Sequence, residues 1–189
     1  MSVQGRHYHY VGPEGLRSLV REGGEGQPLR SRVDFVAWAE QQTAQELAEP
    51  FTFVIDAQGF LRLAPRRSEH VVCAGGEPVL SAGEMRFRVE GAQHWTVDEA
   101  SNQSTGYCPD ADSWPDVAAA LDGLGLPHPP GFTHKVIFRR CPACRELNIV
   151  REDDFVCVFC EETLPQEWNV SGHTALLRPH EPPHGYRHA

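Results

Sequence analysis

No stretch of the sequence approaches the ~18 consecutive apolar residues that a membrane-spanning helix needs, and the run from Met1 to Tyr10 has no apolar leader region. Transmembrane and secretory readings therefore find no support in the residues. Also missing are G-x-x-x-x-G-K-[ST], H-E-x-x-H, a G-x-G-x-x-G behind a strand, and G-x-S-x-G. Nucleotide-triphosphate, zincin, dinucleotide and α/β-hydrolase chemistry thus lack their usual carriers. Positive charge is scarce: 17 Lys and Arg stand against 26 Asp and Glu, a formal net charge of −9. A surface of that sign repels a phosphate backbone, so nucleic-acid binding would need a local basic face. What is present is a 189-residue chain with 40% hydrophobic residues, enough to fill one moderate core beside a small module. The expected compartment is the cytoplasm.

Four of the six cysteines stand in two pairs, Cys141-Pro142-Ala143-Cys144 and, after twelve intervening residues, Cys157-Val158-Phe159-Cys160. A two-residue gap lets one tight turn aim both sulfurs at one ion, and two such turns complete a tetrahedral site. Strand-like sequence surrounds them at 135–140, 147–150 and 154–156. We read a zinc ribbon with Zn2+ on Cys141, Cys144, Cys157 and Cys160. Iron is the competing metal, since rubredoxin-like proteins also use paired Cys knuckles, usually at longer separation. A closed four-thiolate set points to a structural rather than a catalytic site. Such knuckles often carry Gly after the second Cys, where this chain has Arg145 and Glu161. Residues 135–165 hold five positive and six negative side chains. Arg139, Arg140, Arg145 and Arg151 could serve nucleic acid only by sharing a face free of those acids. The expected partner is a protein with a basic surface, with neither nucleic acid nor membrane. Cys73 and Cys108 read as buried core fillers.

Ahead of the ribbon the periodicities predict an α+β fold: N-terminal helices, then an antiparallel sheet or partial barrel. Leu16, Leu19 and Val20 space a short helix after Gly12-Pro13, and Gly23 to Pro28 form a connector. Ser31 is placed to cap a second helix running to about Ala48, with Val33, Val36, Ala37, Ala44 and Leu47 on one side. Strands at 51–56 and 60–63 flank an Asp56-Ala57-Gln58-Gly59 turn, and 70–73, 85–89 and 95–99 read as further strands. In 85–89, Met85, Phe87 and Val89 are expected to face the core. Ser113 and Pro115 open a third helix with Val117, Ala118, Leu121 and Leu124 buried. The stiff Pro127-His128-Pro129-Pro130-Gly131 marks the boundary between an α+β domain at 1–130 and the ribbon at 131–168, with a Pro- and His-rich tail at 169–189. His7-Tyr8-His9-Tyr10 alternates as an edge strand would.

A second cluster gathers His70-Val71-Val72-Cys73-Ala74-Gly75-Gly76, Ser81-Ala82-Gly83-Glu84 and the polar loop from Ser101 to Pro109. The order His70, Ala74-Gly75, Ala82-Gly83, then Ser104, Tyr107 and Pro109 resembles a module of plant IQ-motif calmodulin-binding proteins and of some bacterial polymorphic toxins and effectors. That module runs H-S-S-x-x-A-G, A-A-G and S-G-H-Y-x-P. The resemblance covers residues 51–126. Val71-Val72 replaces its paired Ser, the first Ala-Gly comes one residue early, and Thr105-Gly106 stands for Gly-His. There is no IQ segment, so calmodulin is not implied. The resemblance implies an effector-type domain of a bacterial conflict system.

Residue chemistry leaves two accounts of this cluster. His70 could act as a base or activate Cys73 or Ser104, oriented by Glu84 or Asp56, in a pocket with Tyr107. Alternatively the glycines serve turns and close approach, and the polar side chains satisfy a loop. The second account needs no assembled geometry, and the expected function follows it: a zinc-ribbon binding or accessory protein that engages a protein partner. The alternative is an enzyme or toxin-type domain acting through His70, Cys73, Ser104 and Tyr107.

Overall fold

A computed structural model describes residues 5–21, 26–91 and 94–171. Its larger part is an open five-stranded antiparallel sheet in the order β1-β3-β2-β4-β5, built from Pro28–Leu29, Leu61–Ala64, Phe51–Asp56, Val79–Glu90 and His94–Ser101. It does not close into a barrel, and the fold is α+β. β2 occupies the centre and is buried along its whole length, so its alternation separates two apolar layers rather than core from water. Phe51, Phe53 and Ile55 join Leu61, Met85 and Phe87 in one layer. That layer is covered by α2 (Arg32–Ala39) and α5 (Trp114–Gly123), the single-turn α1 (Glu14–Arg17) standing ahead of them in the chain. Val54 faces the other way, into a smaller layer with Val71, Cys73, Val79, Ala82 and Tyr107.

The β2–β3 hairpin forms as its sequence predicts. Asp56 Oδ1 accepts N–H bonds from Gln58 at 3.0 Å and Phe60 at 2.9 Å, and Oδ2 accepts from Arg62 Nε at 2.9 Å. Gly59 takes φ 85°, which a Cβ would oppose. Tyr8 exchanges two backbone hydrogen bonds with Val79, at 2.7 and 3.0 Å, so the His7 to Tyr10 run makes one isolated antiparallel bridge where the sequence predicts an edge strand.

Three local expectations are corrected. The helix read from Ser31 to Ala48 is two helices. Ser31 caps α2 as expected, but α2 ends at Ala39, and α3 (Ala44–Leu47) starts afresh on a Thr43–Glu46 capping box. The buried side of α2 is Phe35 and Ala39, while Val33 is 76% exposed. Second, 70–73 is a helical turn, α4 (His70–Cys73), not a strand. Gly75 and Gly76 at positive φ close it, with Gly76 N–H reaching Val71 O at 2.8 Å and Gly75 N–H reaching Val72 O at 3.0 Å. This paired C-terminal closure overrides the β preference of Val71-Val72. Gly125 and Leu126 end α5 in the same way, at 2.9 and 3.0 Å. Third, Val89 is 48% exposed because β4 runs past the edge of the core.

The C-terminal part is a two-stranded antiparallel ribbon, β6 (Ile137–Arg140) and β7 (Leu147–Val150). It is seated on the sheet rather than hung from it. Asn102 is fully buried and donates to Pro109 O at 2.9 Å and Val136 O at 2.8 Å while accepting from Val136 N at 2.7 Å. Beyond the ribbon the chain returns, and Trp168 Nε1 donates to Cys108 O at 2.8 Å. Cys108, Val136, Phe138 and Val170 form a shared apolar cluster. Of the tail read at 169–189, residues 169–171 are therefore part of the folded molecule, and 172–189 lie outside the described residues, as do 23–25 of the Gly-rich connector. Among the described residues no helix is long and apolar enough to cross a membrane.

Candidate metal centre

β6 and β7 deliver the first cysteine pair at their connecting turn, and the second pair sits on a matching turn further along the chain. The two knuckles repeat one hydrogen-bond pattern. Arg145 N–H donates to Cys141 O at 3.1 Å and Glu161 N–H to Cys157 O at 2.9 Å; Cys141 N–H donates to Glu146 O at 2.9 Å and Cys157 N–H to Glu162 O at 2.8 Å. Each turn forces a left-handed backbone just after its second cysteine, φ 68° at Arg145 and 61° at Glu161. Glycine is the residue that enters this region freely, and an L side chain there costs about 1–2 kcal/mol. Structural zinc in small thiolate modules contributes roughly 10–16 kcal/mol, so a bound metal outweighs both strained positions.

The four sulfurs face one point. Cys141 and Cys160 Sγ lie 3.6 Å apart, as do Cys144 and Cys157 Sγ, and all four fall within 4.8 Å of one another. Metal–sulfur bonds of ~2.3 Å in a tetrahedron require S···S separations of about 3.8 Å. The donor set therefore fits one tetrahedral metal ion. Cys141 and Cys157 are buried, Cys144 is partly covered and Cys160 is exposed, so the site lies at the surface with one side open to solvent. No other group of three or more potential ligands gathers among the described residues.

Asn148 completes the centre, and sequence reasoning passed over it as one more strand residue. It is 3% exposed. Its Nδ2 donates to Glu146 O at 3.0 Å and to Cys157 Sγ at 3.5 Å, and its Oδ1 accepts from Val158 N at 3.0 Å. One amide thus ties the first knuckle to the second and adds a donor on a sulfur ligand. The signal was available: Asn is the polar residue in Leu147-Asn148-Ile149-Val150, at a position whose alternation points inward. Burial works to push the Cys157 thiol up, but the N–H groups of Phe159 and Cys160, with Cys144 and Asn148, hold it below its ordinary value. Donors of this kind favour the thiolate at Cys157, whereas at Cys144 and Cys160 the N–H donors are outweighed by burial and the neighbouring sulfurs, which raise the thiol.

The residues of the second cluster have different surroundings. His70 Nε2 bonds Gly83 O at 2.9 Å. Cys73 is fully buried with Sγ directed at Arg62 O, 3.7 Å away. Ser104, 1% exposed, accepts from Tyr107 N at 3.4 Å through Oγ. Tyr107 is buried, donates to Glu77 O at 2.8 Å, and its phenol is pushed well above its ordinary value by burial. Asp56 is committed to its turn and to Arg62, as described, and Glu84 lines a separate surface cleft with Arg86, Glu99 and His134. Cys73 and Tyr107 share one apolar layer. The Ala82-Gly83 pair has a steric origin: a Cβ at Gly83 would fall 1.8 Å from Ser101 O. Cys108 is 1% exposed, and burial pushes its thiol up to about 12.

Arg139, one of the four ribbon arginines, is 7% exposed and donates to Pro165 O, Phe138 O and Gln166 O at 3.0, 2.8 and 2.6 Å. Its guanidinium braces the returning chain and is not presented outward.

No protein-family model matches the chain, and no curated protein or solved structure does either. The likeness noted over 51–126 accordingly rests on its own short motifs.

Proposed function

We propose that this protein is a zinc-ribbon binding module that holds a protein partner against the outer face of its metal-locked ribbon. The observation that carries the reading is a group of large apolar side chains left uncovered there: Val158 is 77% exposed, Phe159 62%, Val156 42% and Ile149 40%. Two of them lie between the ligands Cys157 and Cys160, so the metal fixes the backbone that displays them. A surface held rigid before binding loses little further freedom on association, which is the physical benefit of placing contacts on a closed metal site. Zinc suits the all-thiolate tetrahedral donor set and brings no redox chemistry. The inward use of Arg139 and the acidic balance of the ribbon argue against phosphate as the ligand. The direct backbone bonds of His70, Ser104 and Tyr107 favour a structural role for that cluster over catalysis.

The test uses the full chain, purified with its metal content measured, as bait in lysate of its native host beside a Phe159→Ser variant. The expected result is about one zinc per chain and a stoichiometric protein partner that the variant loses while keeping its metal and thermal stability. A metal-free native protein, or a partner held equally by the variant, would overturn the reading.

A further inference from the structure

The exposed apolar residues of the ribbon are not scattered. Leu147, Ile149, Val156, Val158 and Phe159 line one groove of about 430 Å³ whose remaining walls are Asn148, Arg151 and Asp154. Apolar surface gathered in a concavity on a molecule otherwise rich in charge marks a contact site. Its charge says what kind. Arg151 and Asp154 pair through the backbone across a tight turn whose tip is Glu152-Asp153, and Glu161-Glu162 follow Phe159 just beyond Cys160. All five acids are exposed. None of them takes part in an ion pair among the described residues, whose salt bridges all lie in the larger part, between residues 6 and 128. The groove therefore has an apolar floor, one basic side chain, Arg151, and neighbouring acids that form no ion pair among the described residues.

We propose that the groove takes a short peptide segment of a partner protein that presents one or two large apolar side chains flanked by Lys or Arg. This rests on the reading of the ribbon as a protein-docking face and specifies its occupant. The apolar side chains would cover Val156, Val158 and Phe159, and the flanking cations would meet Glu152, Asp153, Asp154, Glu161 and Glu162. A second copy of this chain fits poorly, because it would bring the same neighbouring acids against themselves on molecules of net charge −9.

The experiment selects peptides from a random displayed library on the full-length, zinc-loaded protein. It then measures the enriched peptides by fluorescence anisotropy on wild type, on Phe159→Ser, and on a Glu152→Gln, Asp153→Asn, Asp154→Asn triple variant. Metal content and melting temperature are checked in each. The expected consensus joins aromatic or aliphatic residues to Lys or Arg, with binding lost in Phe159→Ser and weakened about tenfold or more in the triple variant. Binding should also weaken steeply between ~50 and ~300 mM salt, as exposed charge pairs do. Enriched peptides that need Phe159 but carry no basic residues and ignore the triple substitution would overturn the charge assignment and leave the docking face standing. Peptides indifferent to Phe159→Ser would overturn both. Concentration-dependent dimerisation abolished by Phe159→Ser would name a second copy as the occupant and overturn the proposal.

Discussion

At the scale of single residues, the polar members of the 70–109 region fasten segments together. His70 on α4 reaches the backbone of β4 at Gly83, and Gly83 in turn must lack a side chain because β5 ends against it at Ser101. The imidazole is largely enclosed, and burial lowers its pKa from 6.5 despite the Gly83 carbonyl, which works the other way. The consequence for pH has a definite sign. The unfolded chain takes up a proton at His70 before the folded chain does, so the contribution of this site to stability is complete above pH 6.5 and declines as pH falls through and below it. Replacing His70 by Gln keeps a donor for the carbonyl and removes the titration. Comparing thermal midpoints of wild type and His70→Gln from about pH 7.5 to about 5.5, the wild type should lose ground to the variant steadily on acidification. A constant difference across that range would show that the imidazole titrates alike in both states.

At the scale of elements, what could be read in the sequence and what could not divide along physical lines. The β2–β3 hairpin was legible because Asp56 and Gly59 determine their turn locally. The metal centre was legible because C-x2-C spacing determines knuckle geometry without help from the rest of the fold. The helical turn at 70–73 was not, since Val71 and Val72 favour a strand by local preference and yield only to the Gly75-Gly76 closure and to packing on β2. The break before Thr43 was written in Thr43-x-x-Glu46, yet a continuous apolar periodicity masked it. Asn148 was missed for a related reason: β7 looks like an ordinary strand until the two knuckles are folded around it. Its substitution tests whether the knuckles act as one unit. Asn148→Ala leaves Val158 N without its side-chain acceptor, reduces Glu146 O to its bond from Cys141 N–H, and takes a donor from Cys157 Sγ. The expected cost is about 1–3 kcal/mol in ribbon stability and roughly 10–100-fold in metal affinity. Competition with a chromophoric chelator measures the second quantity. Unchanged affinity would mean that the four thiolates organise themselves without the amide.

At the scale of the whole molecule, the two parts are stabilised differently, and this decides what metal removal does. The five-stranded sheet buries two apolar layers of its own, including Phe35, Phe53, Ile55, Met85 and Leu121 with no measurable exposure. Beneath the metal centre the packed residues are few: Cys141, Val150, Cys157 and Leu164, with Ile137, Cys144 and Phe155 partly covered. Two of those four buried groups are ligands, so without the metal the outer ribbon has too little apolar area to offset the entropy of ordering its turns. The seam between the parts belongs to the sheet's side of the balance, because Asn102 holds Val136 and the Cys108–Phe138–Val170 cluster needs no metal. Chelation should therefore melt residues from Cys141 to about Leu164 while the rest stays folded, which moves the effective boundary past the Pro127 to Gly131 linker and into the ribbon itself. Hydrogen exchange read by mass spectrometry resolves this directly. Peptides spanning both knuckles should lose protection on metal removal, and peptides from β2, β4 and α5 should keep it. Loss of protection throughout the chain would mean that the sheet depends on the ribbon, and full protection of the knuckles would mean that the metal is dispensable to them. Under the expected outcome the groove of Val156, Val158 and Phe159 exists only in the metal-bound protein, so partner binding and metal occupancy are thermodynamically linked, and each should strengthen the other by the same factor.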